Sequence, residues 1–537
     1  MTQCVYLPLD GRPCNARFPI ELAQLAGFSV HAPETRLLGT AATPASLRGL
    51  DRWLHAACES RRPDYLMLSL DTWLYGNLVA SRKSTQSIET LTTRFQQLLD
   101  LKGRYPQLKI CVMATLLRMS NSNDATEERP YWAQHGQQIY RYAYLDDRIA
   151  QQVTPAGDLS KDIAEYEALQ QAIPESVLID YRQLRQRNHQ LLKLLLEAVA
   201  EGQIEQALIG CDDSGAYGWN VQERKALEQY KAELKLGDRL RIYPGADELA
   251  AVLFARVLVP ENYTLQVQWT HPEAREVVTR YEGQPLCVTL EAQAEAAGLA
   301  LSEPDEPEAT APDGYLWLHQ PSEASLSEHA ERSQSPQIDQ FLDRESRAPV
   351  APENYHRLKE YIARYTSPSE SVKPFMLADV VYANGGDAAL LRDPELSESL
   401  FKLQGYAAWN TAGNTLGYML AWFKFYLYAL SQCEAVADAE QLEVANRKLL
   451  LERIADDGLY QGQWRQEWCQ HYTDPVTLNT CVQGIYAFNE RFKVWSSHHE
   501  WIAQQGTPQI KRLSFPWKRF FEVDLQICWP EQVCNTL

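Results

Sequence analysis

Two adjacent carboxylates, Asp212 and Asp213, follow an apolar run in the segment LIGCDDSGAYGWN. Side by side, two acids either repel one another or share a positive partner. If both enter one cavity, repulsion raises the pKa of one and leaves the other ionised, as acid–base catalysis requires. Successive strand residues point to opposite faces, so both can enter only if the chain turns, and Ser214 and Gly215 favour that turn.

Polar clusters also follow the other apolar runs. Loops at the carboxyl ends of parallel strands converge, so together these clusters predict one polar cleft. In the first half the candidate binding residues are Asp10, Arg12, Asn15, Asp71, Tyr75, Arg82, Arg118, Tyr217, Asn220, Asp247 and Glu248. In the second half they are Asp379, Tyr382, Asn384, Asp387, Trp409, Asn410 and Asn414. A single such cluster is also what turns and helix caps use, so the prediction depends on their number.

Short apolar runs alternate with amphipathic stretches, a pattern typical of parallel sheets covered by helices. The predicted strands of the first half are 4–9, 29–33, 65–70, 109–115, 206–211 and 239–245, and predicted helices include 47–60, 87–101 and 180–200. Beyond Pro260, a second strand series is predicted at 263–269, 285–290, 314–319, 374–380 and 405–409. Residues 302–314 and 322–336 have the composition of surface loops.

The sequence therefore predicts an α/β fold. An N-terminal parallel β/α unit, barrel-like or doubly wound, covers residues 1–260 and carries the Asp-Asp motif. A second parallel α/β unit covers 261–415, and a helical, aromatic-rich region covers 416–537.

Composition excludes several classes of protein. The chain has 537 residues, with 51 Lys and Arg against 70 Asp and Glu, and this negative balance argues against a nucleic-acid binder. The apolar window 416–430 is too short to span a membrane and contains Lys424, so it predicts a buried helix. The N-terminus lacks the pattern of a signal peptide, so we expect a cytoplasmic protein. The sequence leaves open whether the protein forms a homo-oligomer.

Six segments resemble the hallmark blocks of the bacterial family DUF4127, in the expected order from about residue 4 to 420. They are PLDGRPCN, SLDTWLYGNLVASR, IGCDDSGAYGWN, YPGADE, DVVYANGGD and AAWNTAGNTLG. Gly11 and Asn77 depart from the residues expected in these blocks. The resemblance implies a fold and a set of site residues but no reaction.

The acid pair, taken with Tyr, Trp and Asn from other strand ends, is also similar to the site of retaining, substrate-assisted N-acetylhexosaminidases. That similarity implies a glycoside hydrolase of small amino-sugar conjugates, without a cofactor. Asp212 would orient the acetamido group and Asp213 would act as general acid and then base. The sugar ring would contact Tyr217, Tyr382, Trp409 and Asn410, and its hydroxyls would contact Asp10, Arg12, Asp71 and Arg82.

Three alternatives stay open. Asp212, Asp213, Asp247 and Glu248 would suit Mg or Mn in a metal-dependent hydrolase or lyase. The same cleft would also suit a sugar- or polyol-binding protein without catalysis. In a purely structural interpretation, Asp213 caps the next helix and Asp212 pairs with a buried arginine.

Overall fold

In a computed structural model the chain forms two compact units. The N-terminal unit comprises residues 1–20, 28–257 and 281–284, and the C-terminal unit comprises 21–27, 258–280 and 285–537. The structure describes residues 2–152, 156–213, 215–304, 311–321, 350, 352–366, 373–472 and 476–529. Ser214 of the predicted turn, and residues 305–310 and 322–336 of the predicted surface loops, lie outside the described residues.

A six-stranded, all-parallel sheet organises the N-terminal unit. Its strands are β1 (Gln3–Leu7), β2 (Ser29–His31), β3 (Tyr65–Ser69), β4 (Lys109–Leu116), β5 (Gln206–Cys211) and β6 (Leu240–Pro244). Their spatial order is β2-β1-β3-β4-β5-β6, so the sheet is open and doubly wound rather than a closed barrel. All six predicted strands are present, and most are buried along nearly their whole length, as expected for a parallel sheet.

Helices cover the connections between these strands. In chain order they are Pro13–Ala16, Phe18–Leu25, Leu47–Arg61, Leu70–Tyr75, Leu78–Lys83, Ile88–Arg104, Trp132–Ala150, Ala156–Ala172, Glu175–Ala200, Trp219–Glu233 and Leu249–Leu258. Several begin where the sequence offers a capping hydroxyl: Ser46 accepts from the backbone N–H of Gly49, and Ser87 from that of Thr90. The three helices predicted for this half are confirmed, with their ends shifted by a few residues.

A second all-parallel sheet organises the C-terminal unit. Its strands are β7 (Tyr263–Trp269), β8 (Leu299–Ser302), β9 (Gly314–His319), β10 (Phe375–Asp379) and β11 (Gly405–Ala407), in the order β11-β10-β9-β7-β8. The strand predicted at 285–290 is wrong, because this segment begins the helix Leu286–Ala297. Leu286, Leu290 and Ala294 are buried at helical spacing there, a period that the short apolar run concealed.

The remainder of the C-terminal unit is largely helical, as predicted. Its helices are Pro352–Tyr365, Ala388–Arg392, Pro394–Leu400, Ala412–Ser431, Val436–Arg453, Arg465–His471, Leu478–Ser497 and Glu500–Gln505, with a π-helical stretch at Ile454–Trp464. An antiparallel pair, β12 (Gln509–Ser514) and β13 (Asp524–Cys528), was not predicted. The helix Ala412–Ser431 is buried, and Lys424 Nζ donates to the carbonyl of Ala297 at 2.9 Å. Within the described residues, no helix combines the length and apolar character needed to cross a membrane.

Gly210 in β5 lies against the backbone of Gly245, and a substitution there tests this close packing. A Cβ atom at Gly210 would lie 2.3 Å from the carbonyl oxygen of Gly245, so Gly210→Ala must displace backbone and should destabilise the protein by about 1–3 kcal/mol. At Gly103, in the helix Ile88–Arg104, a Cβ meets no atom within 4 Å, so Gly103→Ala should be neutral or stabilising by up to about 1 kcal/mol. Urea denaturation measures the free energy of unfolding of both variants. Equal values for Gly210→Ala and Gly103→Ala would contradict the packing described.

Candidate functional site

Arg12 is held between two carboxylates from opposite ends of the N-terminal unit's sequence. It follows β1, and its guanidinium donates to Asp10 at 2.8 and 3.0 Å. It also donates to Asp247, which follows β6, at 2.5 and 3.0 Å. The Asn15 amide donates to both carboxylates at 3.2 Å. All four side chains are buried, so this group, which we call the Arg12 clamp, fixes the loops after β1 and β6 to each other.

A second group of charges lies beyond the ends of β3, β4 and β5, and we call it the double-arginine cluster. Its members are Arg82, Arg118, Glu127, Glu128, Asp212 and Asp213. Arg82 comes from the helix Leu78–Lys83 and is only 3% exposed. One of its terminal nitrogens donates to Glu127 at 2.6 Å and the other to Asp212 at 2.5 Å.

Arg118 completes the cluster from the loop after β4. It donates to Glu128 at 2.9 Å, to Asp213 at 3.1 Å and to Glu127 at 3.2 Å. Glu127 therefore bridges the two arginines, and the adjacent aspartates each bind a different one. The structure thus brings both aspartates to one cluster of side chains.

Asp213 is the less restrained of the two acids. Its backbone is left-handed, with φ of 36°, which marks the turn of the chain after β5. Its side chain keeps 28% of its surface exposed, against 11% for Asp212. Burial and the neighbouring charge of Asp212 raise the pKa of Asp213 to about 6, although Arg118 and Arg82 oppose that rise. Asp213 is therefore a carboxyl group able to gain or lose a proton near neutral pH.

The purely structural interpretation of the acid pair holds for one residue only. Asp212 does pair with a buried arginine, Arg82. Asp213 does not cap the following helix, Trp219–Glu233, because the N-cap residue is Gly218 and no side chain caps this helix.

A cavity opens beside Asp212. Its unfilled space, including the open mouth, is about 320 Å³, and Asn220, Arg224 and Gln284 are among its lining residues. Tyr217 lies nearby in sequence, but its ring packs edge-on against Tyr144 at 5.2 Å between ring centroids. The cavity therefore presents a carboxylate, two amides and a guanidinium to a bound molecule.

Asp71 and Tyr75 are held by neighbouring protein groups. Asp71 lies in the first turn of the short helix after β3 and accepts from the backbone N–H and the hydroxyl of Thr115 at 2.9 and 3.0 Å. Burial raises the pKa of Asp71 to about 6, while these hydrogen bonds oppose the rise. The Tyr75 hydroxyl donates to Asn188 at 2.8 Å. Glu248, also predicted as a binding residue, accepts from the backbone N–H of Ala246 at 2.9 Å.

The remaining predicted site residues belong to the C-terminal unit, where two acids form a buried network. Asp379, at the end of β10, accepts from the Asp387 backbone N–H at 2.6 Å and from the Tyr406 hydroxyl at 3.2 Å. Asp387 in turn lies 3.1 Å from Nε2 of His319 and accepts from the Tyr355 hydroxyl at 2.5 Å. Burial lowers the pKa of His319, but its bond to Asp387 and the charge of Asp379 raise it, with a net upward shift.

Turn geometry accounts for several other predicted residues. Asn384 and Asn410 both have left-handed backbones, with φ of 63° and 60°, and the Asn384 N–H donates to the Asn410 carbonyl at 2.7 Å. Asn414 lies in the first turn of the helix Ala412–Ser431, and its backbone N–H is capped by Thr411. Trp409 packs against Phe521 at 5.5 Å. Tyr382 lines a separate cavity of the C-terminal unit.

The carboxylates of the metal alternative do not share one oxygen cage. Asp247 binds Arg12, Asp212 binds Arg82, and Asp213 binds Arg118. In the described part of the chain, no three His, Cys, Asp or Glu side chains are grouped so as to hold a metal ion. The residues present therefore do not fit the proposed magnesium or manganese site.

Sequence reasoning missed five residues, of which three complete the groups described above and two form a separate pair. Glu127 and Glu128 lie in the polar segment NSNDATEERP, which looks like an ordinary solvated loop. His319 ends the strand GYLWLH, so its strand-end position was a usable signal. Asp456 and Asp457 form a second acid pair in the π-helical stretch, and both bind Arg453 at 3.1 Å. The recurrence of two adjacent aspartates could have drawn attention to that pair.

Removing one partner of the Arg12 clamp should be strongly destabilising. Asp247→Asn leaves a buried guanidinium with one carboxylate instead of two, so we expect a loss of about 3 kcal/mol in the free energy of unfolding. The matched control is Glu34→Gln, which breaks an ion pair whose side chains are 69% and 79% exposed and should change stability by less than about 1 kcal/mol. Urea denaturation compares them, and a loss at Asp247 no larger than at Glu34 would contradict the clamp.

The raised pKa of Asp71 predicts a pH-dependent stability difference. The stability contributed by a raised carboxyl pKa is fully present below the unfolded value near 4 and is lost as pH rises through about 6. Asp71→Asn cannot titrate, so from pH 4 to pH 7 wild type should lose about 2 kcal/mol relative to the variant. Unfolding free energies of both proteins at several pH values test this, and a constant difference would show that Asp71 titrates normally.

Comparisons with known proteins identify a family but no reaction. No curated protein and no solved structure matches the chain, so the similarity to hexosaminidases gains no support. The family model described as "Protein of unknown function (DUF4127)" matches residues 4–526, well beyond the blocks that end near residue 420. The chain therefore belongs to the DUF4127 family.

Proposed function

We propose that this protein is a glycoside hydrolase of small amino-sugar conjugates, with Asp213 as general acid and then general base. The observation that supports this most strongly is the unequal environment of two adjacent carboxylates. Asp212 is bound by the buried Arg82, whereas Asp213 is more exposed and its pKa is raised to about 6. Environments that separate two neighbouring acids in this way assign them different roles in acid–base catalysis.

The adjacency of the acids favours a substrate-assisted mechanism. In an ordinary retaining enzyme, acid and nucleophile flank the scissile bond about 5 Å apart on separate sides, a placement that is unlike two neighbouring residues in one cluster. In the proposed reaction Asp213 protonates the glycosidic oxygen, and the acetamido oxygen of the substrate attacks the anomeric carbon as the bond to the leaving group breaks. Water then opens the resulting oxazolinium ion, returning its proton to Asp213.

The surroundings of the acids suit both stages of this reaction. Asp212 would accept a hydrogen bond from the acetamido N–H and stabilise the positive charge of the oxazolinium ion. Arg118, 3.1 Å from Asp213, stabilises the carboxylate that remains after proton donation. The cavity beside Asp212 offers the polar groups of Asn220, Arg224 and Gln284 to a sugar conjugate.

The proposal gives a positioning role to residues first predicted to bind hydroxyls. Asp10, Arg12 and Asp71 are each 5% exposed or less and bind other protein groups. Arg82 likewise acts through Asp212 and Glu127. Asn220, Arg224 and Gln284, which line the cavity, replace them as the residues proposed to contact the substrate.

The test is hydrolysis of aryl 2-acetamido-2-deoxyglycosides by wild type and by Asp213→Asn. Because general acid catalysis contributes about 10²–10⁴ to rate, the variant should lose that factor in kcat while keeping its fold. The loss should be smaller for a dinitrophenyl leaving group, which needs little protonation, than for a methylumbelliferyl one. Asp238→Asn, at a side chain 78% exposed, is the matched control and should retain full activity.

The dependence of the rate on substrate and on pH gives further results that can contradict the proposal. Glycosides without the 2-acetamido group should not be turned over, and kcat/KM should fall above about pH 6 as Asp213 loses its proton. Equal loss for both leaving groups would remove Asp213 from the acid role. Saturable sugar binding without turnover of any glycoside would favour a non-catalytic sugar-binding protein instead.

A further inference from the structure

The C-terminal unit contains a cavity that the proposed hydrolase site does not use. Its unfilled space, counted together with its open mouth, is about 270 Å³, and it lies beyond the carboxyl ends of β9 and β10. Its walls are formed by Pro321, which follows β9, by Val380 to Ala383, which follow β10, and by Ala412. In open parallel sheets this edge is where ligands bind, since the connecting loops and helix N-termini meet there.

The polar groups at this cavity carry positive charge or can donate hydrogen bonds. Arg280 lines it, and Ala412 is the first residue of the 20-residue helix Ala412–Ser431, whose N-terminal end has a partial positive charge. None of the eight lining residues is acidic. A helix N-terminus beside an arginine therefore favours an anion over a cation.

Thr279 provides an independent indication of a ligand. It lines the same cavity and is only 7% exposed, yet its hydroxyl oxygen is buried and has no hydrogen-bond partner within the described part of the chain. Buried polar atoms in folded proteins are almost always satisfied, so a hydroxyl at a cavity wall without a protein partner is placed to bond a water molecule or a bound ligand. As a donor, this hydroxyl is suited to an oxyanion.

The nearest acid on the chain, Asp379, does not line the cavity, and its oxygens bond to other protein groups. Asp379 ends β10 just before the lining segment, and its oxygens accept from the backbone N–H groups of Val381 and Asp387 and from the Tyr406 hydroxyl. These bonds hold the loop that forms one wall. The other walls are apolar, with Pro321, Val380 and Val381 among them.

We propose that this cavity binds a small organic anion, with its carboxylate or phosphate at Arg280, Thr279 and the N-terminal end of the helix Ala412–Ser431. The body of the ligand packs against the valine and proline walls. This site belongs to the C-terminal unit and does not depend on the hydrolase activity proposed for the N-terminal unit.

Isothermal titration calorimetry of the full chain with benzoate and with phenyl phosphate tests the proposal. Wild type should bind at least one of the two with 1:1 stoichiometry, and the stronger of them identifies the head group. Thr279→Val has nearly the same shape and removes only the hydroxyl, so affinity should fall on the order of tenfold. Because that hydroxyl has no partner among the residues that the structure describes, the variant should be at least as heat-stable as wild type. Thr366→Val, at a threonine outside the cavity, is the control and should bind as wild type does.

Ala412→Asp is the second variant. The charge of an acidic residue in the first turn would repel an anion at the cavity, so binding should be lost; because Ala412 is only 6% exposed, circular dichroism checks that the variant is folded. Absence of binding of either anion to wild type would overturn the proposal. So would binding that is unchanged in both Thr279→Val and Ala412→Asp, because the anion would then lie elsewhere.

Discussion

Buried guanidinium groups shape the N-terminal unit. Arg12 and Arg82 are 5% and 3% exposed, and an unpaired charge at such depth would be strongly destabilising. Each is therefore surrounded by carboxylates, and those carboxylates come from different strand ends: Asp10 and Asp247 in one case, Glu127 and Asp212 in the other. These ion pairs can form only when the strands are aligned in the sheet. The loops that carry the carboxylates are therefore held in place only when the strands are correctly paired.

The same electrostatic arrangement produces the chemistry that we propose. Asp212 and Asp213 are identical in type and adjacent in sequence, and they differ only in what surrounds them. Arg82 is bound to Asp212 and Arg118 to Asp213, and Glu127 links the arginines. Because positive charge is shared among more carboxylates than arginines in this cluster, one acid remains able to take up a proton near pH 6. The catalytic role that we propose for Asp213 would follow from this unequal balance of charges beyond the carboxyl ends of the strands.

Sequence alone predicted the sheets well because a parallel strand buried on both faces has a distinctive composition. All six strands of the first sheet were predicted, as were four of the five in the second. The errors were at short segments: PLCVTL is an apolar run that a buried helix also uses, and LALS is too short to recognise. Local composition cannot separate those cases, since only the packing partners decide them.

The site was predicted in part, and for a physical reason. Strand-end position identified Asp10, Arg12, Asp247, Arg82, Arg118 and the acid pair, because parallel strands bring their carboxyl ends to one edge. It did not reveal which acid binds which arginine, nor that Arg12 and Asp71, which are predicted to bind hydroxyls, are buried and bound to protein groups. Glu127 was not predicted, because its contacts with the two arginines depend on the conformation of its loop. The pattern of charges in the sequence does not determine that conformation.

The central claim is that the surroundings of Asp213 set its ionisation apart, and carbon-13 NMR of aspartate carboxyl groups tests it most directly. In protein labelled at the aspartate side-chain carboxyl, Asp213 should contribute a resonance that titrates near pH 6 and disappears in Asp213→Asn. If the resonance lost in that variant instead titrates near pH 4, as an ordinary aspartate does, the account of this site is wrong.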